Sequence, residues 1–403
     1  MSESGTDETL WGPPAHRQRG GFESFGSADD DATLPIPAPV AKGIEAWHDM
    51  LLRLAGVLPD DLITEARGWL AEGGQVDVAQ AVAFAAATGR VPVLSSDADL
   101  MAAQLREAGE DTELVDTLDR VDESVILPMP WVFAPVDPRR DDLHDHPGPI
   151  DLTSGDLDPT ADDVDHAIRL AAGQESGLVA VWRAWRTPAD GAPWPAPRRV
   201  FVVQTGPEVT GENLVAVAAR IQDALAGAGE RDPQVEVCGP GTPVPGYQSS
   251  ACAHAALVWA EEPAVPVRMA RVFDAVDPKF GPMFAEDHPL IEDLGELTRL
   301  LQYLGNGLPV LTTSATMGDI LDPDQPDVVP LTFRTDGHWV WTDTISYYLE
   351  RYGLAPEPEL LSYLRLTQDA GPEVSDVALH RVLSFLQRPD EGEPVWTVPQ
   401  VSA

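Results

Sequence analysis

The segment Met129-Pro130-Trp131-Val132-Phe133-Ala134-Pro135-Val136-Asp137-Pro138-Arg139 returns 140 residues later as Met269-Ala270-Arg271-Val272-Phe273-Asp274-Ala275-Val276-Asp277-Pro278-Lys279. An Asp-His-Pro triplet follows each, Asp145-His146-Pro147 and Asp287-His288-Pro289. Asp163, Arg169, Leu170, Gly177 and Leu178 then match Asp293, Arg299, Leu300, Gly307 and Leu308 at an offset of 130. A chain that repeats its local preferences is expected to repeat a supersecondary unit. Two units of this kind are expected to pack around a shared groove, with approximate two-fold symmetry.

Residue spacing sets the elements within that frame. Each copy reads as a strand at its Val-Phe pair, a proline-rich loop, a helix, two strands and a further helix. Leu178 to Trp185 and Leu308 to Thr312 are the first strands after the helices, and Val200 to Val203 is the next strand of the first copy. Leu214, Val217, Ala218, Ile221 and Leu225 recur at helical spacing and predict one buried helix face. Gln234 to Cys238 and Leu257 to Ala260 add strands to the first copy. In the second, Asp336-Gly337 between Leu331–Arg334 and His338–Trp341 predicts a hairpin with a type I′ turn, since Asp-Gly tolerates positive φ. Two helices close the chain, near Glu357 to Leu366 and Ser375 to Leu386.

Residues 43–123 are helical by the same reasoning. Trp47, Met50, Leu51 and Leu54 form one stripe, and Pro59-Asp60-Asp61 opens a second helix. A third is expected to close at Gly89, and Ser95 or Ser96 to cap a fourth. Residues 1–42 are rich in Gly, Ser, Asp and Pro without apolar periodicity, and read as a disordered tail. The expected fold class is therefore α/β (α+β). An N-terminal helical bundle (43–123) precedes two related α/β modules, 124–262 and 263–403, the second carrying the C-terminal helices.

Charge narrows the partners. Sixty-six acidic against 26 basic residues leave a net charge of −40, and lysine occurs only as Lys42 and Lys279. Such a field repels nucleic-acid phosphates and anionic membranes and attracts basic proteins or cations. The acidic start of the chain lacks the apolar run of a secretory signal, and the longest apolar stretches fall short of a bilayer span. A cytoplasmic location is the expectation. Two cysteines, Cys238 and Cys252, are too few for a disulfide framework and sit among small or apolar residues.

The candidate chemistry is sparse. No Gly-x-Ser-x-Gly elbow, phosphate-binding Gly-x-x-x-x-Gly-Lys or His-Glu-x-x-His motif occurs. Cys252 and His254 stand two apart, which on a helix turns them away from one another. His144, Asp145 and His146 are imidazole and carboxylate ligands in one loop, where a divalent metal is weighed against a solvated polar loop. Asp319, Asp322, Asp324 and Asp327 offer oxygens but lack the calcium-loop pattern. Trp339 and Trp341 share one strand face, which favours the core. If exposed they are, with Asp336, the positions that would meet a partner. No cofactor is expected.

These features point to a non-enzymatic protein-interaction or regulatory protein. It would sequester a basic partner, as an immunity protein or antitoxin does, or act as an assembly adaptor. The alternative is a hydrolase or transferase with a site between the two modules, built on His146, His288 or their acidic neighbours.

Overall fold

Apolar residues at helical spacing form the first elements. The computed structural model describes residues 43–125, 129–140, 148–154, 161–240, 243–277, 279–367 and 373–387. The tail over 1–42 and the His144-Asp145-His146 run lie outside them. Helices α1 (Ile44–Leu54), α2 (Asp60–Ala71), α3 (Gln75–Gly89) and α4 (Ser95–Ala108) follow in succession, then the short α5 (Glu113–Asp116). Met50, Leu51, Ile63, Leu70, Val82 and Met101 from these helices meet in one buried cluster.

Two expected caps lie elsewhere. Gly89 is the last residue of α3, and Arg90 takes the left-handed conformation at φ 51°. Leu94 holds the N-cap position of α4, because Val93–Leu94 (β1) pairs in parallel with Arg120–Val121 (β2). The Ser95 hydroxyl instead donates to the Val121 carbonyl at 3.3 Å.

The larger sheet spans residues 131–260. Its elements are β3 (Trp131–Ala134), β4 (Ile150–Asp151), α6 (Asp163–Gln174), β5 (Leu178–Pro188), β6 (Arg198–Thr205), α7 (Glu212–Gly227), β7 (Gln234–Cys238), α8 (Gly246–Ala253) and β8 (Ala256–Ala260). The strand order is β4-β8-β5-β6-β7, with β3 beside β5. β5 and β6 are antiparallel neighbours, and α7 crosses over to place β7 parallel to β6. Alternation along β6 serves both faces. Phe201 and Val203 join α6 and α7 in one cluster, while Val200 and Val202 join Tyr247 and Ala251 of α8 in another.

The second sheet is smaller. Its region holds β9 (Arg268–Met269), β10 (Ala275–Asp277), β11 (Gly281–Met283), α9 (Leu294–Asn306), β12 (Leu308–Leu311), β13 (Thr316–Met317), β14 (Val329–Pro330), β15 (Phe333–Thr335) and β16 (Trp339–Thr342), then α10 (Asp343–Tyr352), α11 (Pro358–Leu366) and α12 (Asp376–Leu386). Its order is β12-β15-β16-β9; β10 pairs with β11 and β13 with β14 in separate ribbons.

The two halves share a helix–glycine–strand step, α6–Gly177–β5 and α9–Gly307–β12. Both helices open on an aspartate cap, Asp162 and Asp293, so Asp162 rather than Asp163 is the counterpart of Asp293. A Cβ at Gly307 would overlap the Trp341 ring, which explains glycine at the second step. The strand orders differ, and the Val-Phe segment is a strand only in the first half; residues 271–274 belong to no strand.

The hairpin at Asp336-Gly337 forms, with different turn chemistry. Gly337 has φ +92°, whereas Asp336 is not among the residues at positive φ, so the turn is not type I′. The Asp336 carboxylate accepts instead from the His338 and Trp339 amides at 2.9 and 2.8 Å. A side-chain acceptor replaces a backbone one.

Helix α12 joins the two sheets. Val382 packs with Val310 and Val340 of the second, while the His380 ring bonds the Ile150 carbonyl at 2.9 Å and the Asp151 amide donates to the Ser384 hydroxyl on the first. No described helix is long and apolar enough to cross a membrane.

Candidate functional site

The sequence-derived candidates are dispersed. Trp339, Trp341 and Asp336 are not surface positions: their exposures are 4, 0 and 4%. Trp341 donates to the Leu304 carbonyl, and Asp336 also accepts from the Tyr303 hydroxyl at 2.9 Å. They hold a core together, because a pleated strand with α9 and α11 against it buries its large alternate residues.

His288 has both ring nitrogens engaged, one by the Asp274 carboxylate at 2.8 Å and one by the Ala355 carbonyl at 2.9 Å. Both contacts tie the ring to the protein itself, so His288 braces the chain between residue 274 and residue 355. Its proposed counterpart His146 and the metal candidates His144 and Asp145 lie outside the described residues. Among the described residues no three His, Cys, Asp or Glu side chains converge as metal ligands. Asp319 of the acidic loop accepts from the hydroxyls of Tyr347 and Tyr352 at 3.0 and 2.5 Å.

Cys252 and His254 do not form a nucleophile pair. His254 turns back to the Ser250 carbonyl at 3.0 Å. Burial raises the Cys252 thiol well above its ordinary value, with Cys238 and Asp376 adding to the effect. Cys238 is pushed up to about 12, chiefly by burial. Thiol reactivity requires thiolate. The buried Cys238 is therefore expected to stay unmodified by a disulfide reagent at pH 7 in the native protein, the half-buried Cys252 to react slowly, and both to react at once in urea. Fast native labelling of either would contradict this assignment.

A groove distinct from the expected one between the two α/β modules lies where α1 and α4 face residues 243–247. Its wider part encloses about 600 Å³, and a narrower continuation of about 310 Å³ shares Arg53, Leu94, Glu123 and Pro245 with it. Glu45, Asp49, Asp97 and Glu123 line the wider part against a single cation, Arg53. That guanidinium is already committed, with Nη2 at 2.5 Å and Nε at 3.2 Å from the Asp97 carboxylate. Burial raises the Asp49 carboxyl, an effect that Arg53 opposes and Glu45 and Asp97 reinforce. The lining is thus a field of carboxylates without an uncommitted cation.

The narrower part is apolar. Gly56, Val57, Val125, Met129, Trp131 and Tyr247 line it. Val125, Met129 and Val244 at the groove are 45, 41 and 44% exposed, more apolar surface than an isolated loop residue presents. The Trp131 indole donates to the Gly56 carbonyl at 2.6 Å, which fixes the floor. Gly56 has φ +75°, and a Cβ there would overlap the Tyr247 ring. Gly56→Ala is expected to destabilise the chain by about 2–4 kcal/mol, combining the left-handed backbone cost with overpacking. A urea titration checks this, and a loss under about 0.5 kcal/mol would mean that the ring moves aside freely.

None of the groove carboxylates was legible as a site. They come from three separate stretches of a chain with acids throughout, so no local spacing distinguishes them. Comparison of the chain with protein-family models, curated proteins and solved structures finds no match.

Proposed function

We propose that the protein is a non-catalytic binding protein that holds an extended, cationic and partly apolar segment of a basic partner protein in this groove. One observation carries the reading: four carboxylates face one guanidinium, itself paired, along a concavity that continues into an apolar end. A basic side chain entering the wide part meets unneutralised charge, and an aliphatic neighbour reaches the floor at Trp131 and Tyr247. The net charge of −40 adds long-range attraction, which accelerates encounter and is screened by salt. Sequestration of a cationic partner, in the manner of an immunity protein or antitoxin, is the role this favours over an assembly adaptor. The shared helix–glycine–strand step supports a duplicated origin for the two α/β regions. The alternative of a hydrolase or transferase between them gains nothing from His288, which braces residues 274 and 355.

The test uses fluorescence anisotropy of the full chain with a labelled peptide alternating lysine and leucine, beside a glutamate–leucine control. Binding of the cationic peptide alone is expected, weakening at least about tenfold between low and physiological salt. The double variant Asp49→Asn, Glu123→Gln is expected to weaken it by about tenfold. Equal binding of both peptides, or an unaffected double variant, would remove the groove as the docking site.

A further inference from the structure

The groove fits one kind of segment, and the chain contains a segment of that kind. Between Glu8 and Glu23 there is no acid. These fourteen residues, 9–22, hold Arg17 and Arg19, the only arginines or lysines before Lys42, together with Leu10, Trp11 and Phe22. In a chain of 66 acidic and 26 basic residues the stretch is set apart as cationic and partly apolar, and these are the two properties of the groove's complement.

Its place in the chain brings it within reach. Gly43 and Glu45 line the wide part of the groove, so the chain enters the described structure at the groove wall. Twenty residues separate Phe22 from Gly43, at most about 70 Å of chain, which is ample for a return to the same wall. A segment tethered in this way is present at a local concentration on the order of 1 mM.

Two of the lining carboxylates are open to it. Asp97 holds Arg53, and Glu45 accepts from the Gly211 amide at 2.7 Å. Among the described residues no side chain donates a hydrogen bond to Asp49 or Glu123, and no cation pairs with Glu123. Arg17 and Arg19 stand two apart, so an extended chain turns both guanidiniums to one side, about 7 Å from one another. Phe22 follows three residues on, in position for the apolar end, which Trp131 and Tyr247 line.

We propose that residues 9–22 occupy the groove as an internal competitor of the basic partner, with Arg17 and Arg19 at Asp49 and Glu123 and Phe22 at the apolar end. This rests on the reading of the groove as a site for cationic segments and adds a control on its access. A segment that binds by itself at about 0.1 mM fills the groove about nine-tenths of the time when its local concentration is about 1 mM. The apparent affinity for an outside partner then falls about tenfold, and weak cationic ligands are excluded.

Trypsin cleavage of the full chain after Arg17 and Arg19, followed at low salt by mass spectrometry, tests the contact itself. It is expected to be about tenfold slower than cleavage of a free peptide of residues 9–22. The Asp49→Asn, Glu123→Gln variant, its fold checked by circular dichroism, is expected to be cut at the free-peptide rate. In anisotropy with the lysine–leucine peptide, Arg17→Gln, Arg19→Gln is expected to bind about tenfold tighter than wild type. Arg90→Gln, Arg106→Gln changes the net charge equally at two exposed positions and is expected to leave that affinity unchanged. Wild-type cleavage at the free-peptide rate, or slow cleavage that persists in the groove variant, would overturn the proposal. Slow cleavage relieved by the groove variant, in a protein that takes no lysine–leucine peptide even without Arg17 and Arg19, would overturn the partner reading and uphold the internal contact.

Discussion

Arg67→Met is expected to lower the unfolding free energy by about 3–5 kcal/mol, more than other single substitutions at this interface. The Arg67 Nη2 lies 2.6 Å from the Glu236 carboxylate, and the two side chains are 1 and 0% exposed. Arg67 stands on α2 and Glu236 on β7, so the pair joins the helical region to the larger sheet. Removing the cation leaves a buried carboxylate whose remaining donor is Gln248, at 2.8 Å. Nothing replaces the lost hydration of that charge, and this sets the size of the effect.

The double variant Arg67→Met, Glu236→Leu is expected to recover at least half of the loss, because it removes both charges and both desolvation costs. Urea denaturation of the two variants measures it. A single-variant loss below about 1 kcal/mol would show that water reaches the pair. One cooperative transition is also expected in each case, in keeping with residues 42–403 forming one compact unit.

Acid is expected to destabilise the protein through His48. This imidazole is buried and donates to the Val237 carbonyl at 2.7 Å. Burial, with Arg67 nearby, lowers it from 6.5 to about 4. Between those values the unfolded chain takes up a proton that the folded chain does not, so stability rises with pH across this window. The contribution is complete above about pH 6.5 and is lost as pH falls towards 4. From pH 7 to pH 5 the loss due to His48 is about 2 kcal/mol.

Asp49 and Glu230, whose carboxyls burial raises, oppose the trend near the lower end of the window. His380, lowered by burial, reinforces it. Comparison with His48→Gln separates the terms, since glutamine donates to the same carbonyl without titrating. The stability difference between wild type and variant is expected to shrink by about 2 kcal/mol on going from pH 7 to pH 5. Parallel curves would mean that His48 is hydrated in the folded state.

Much of the secondary structure was legible because it depends on residues close together in the chain. The stripe from Leu214 to Leu225 is the buried face of α7, and Gln234–Cys238 is β7 residue for residue. Gly353 ends α10 at φ 73°. Where local preference and tertiary demand differ, the tertiary demand prevails. Leu94 is held extended by its pairing with Val121, which moves the start of α4 past the expected serine cap. Asp336 satisfies the hairpin amides with its side chain, so a turn of positive φ at both residues is unnecessary.

The candidate sites divide in the same way. Composition alone determined the sign of the protein's field, and with it the class of partner proposed for the groove. Periodicity determined which helices and strands form, because each depends on neighbours within one or two turns. Only the tertiary structure decided that Glu45, Asp49, Asp97 and Glu123 share a wall, and that Trp339 and Trp341 lie inside while Trp194 lies outside. Convergence of charge from distant segments costs desolvation and is settled by which surfaces bury one another. No spacing along the chain records that outcome.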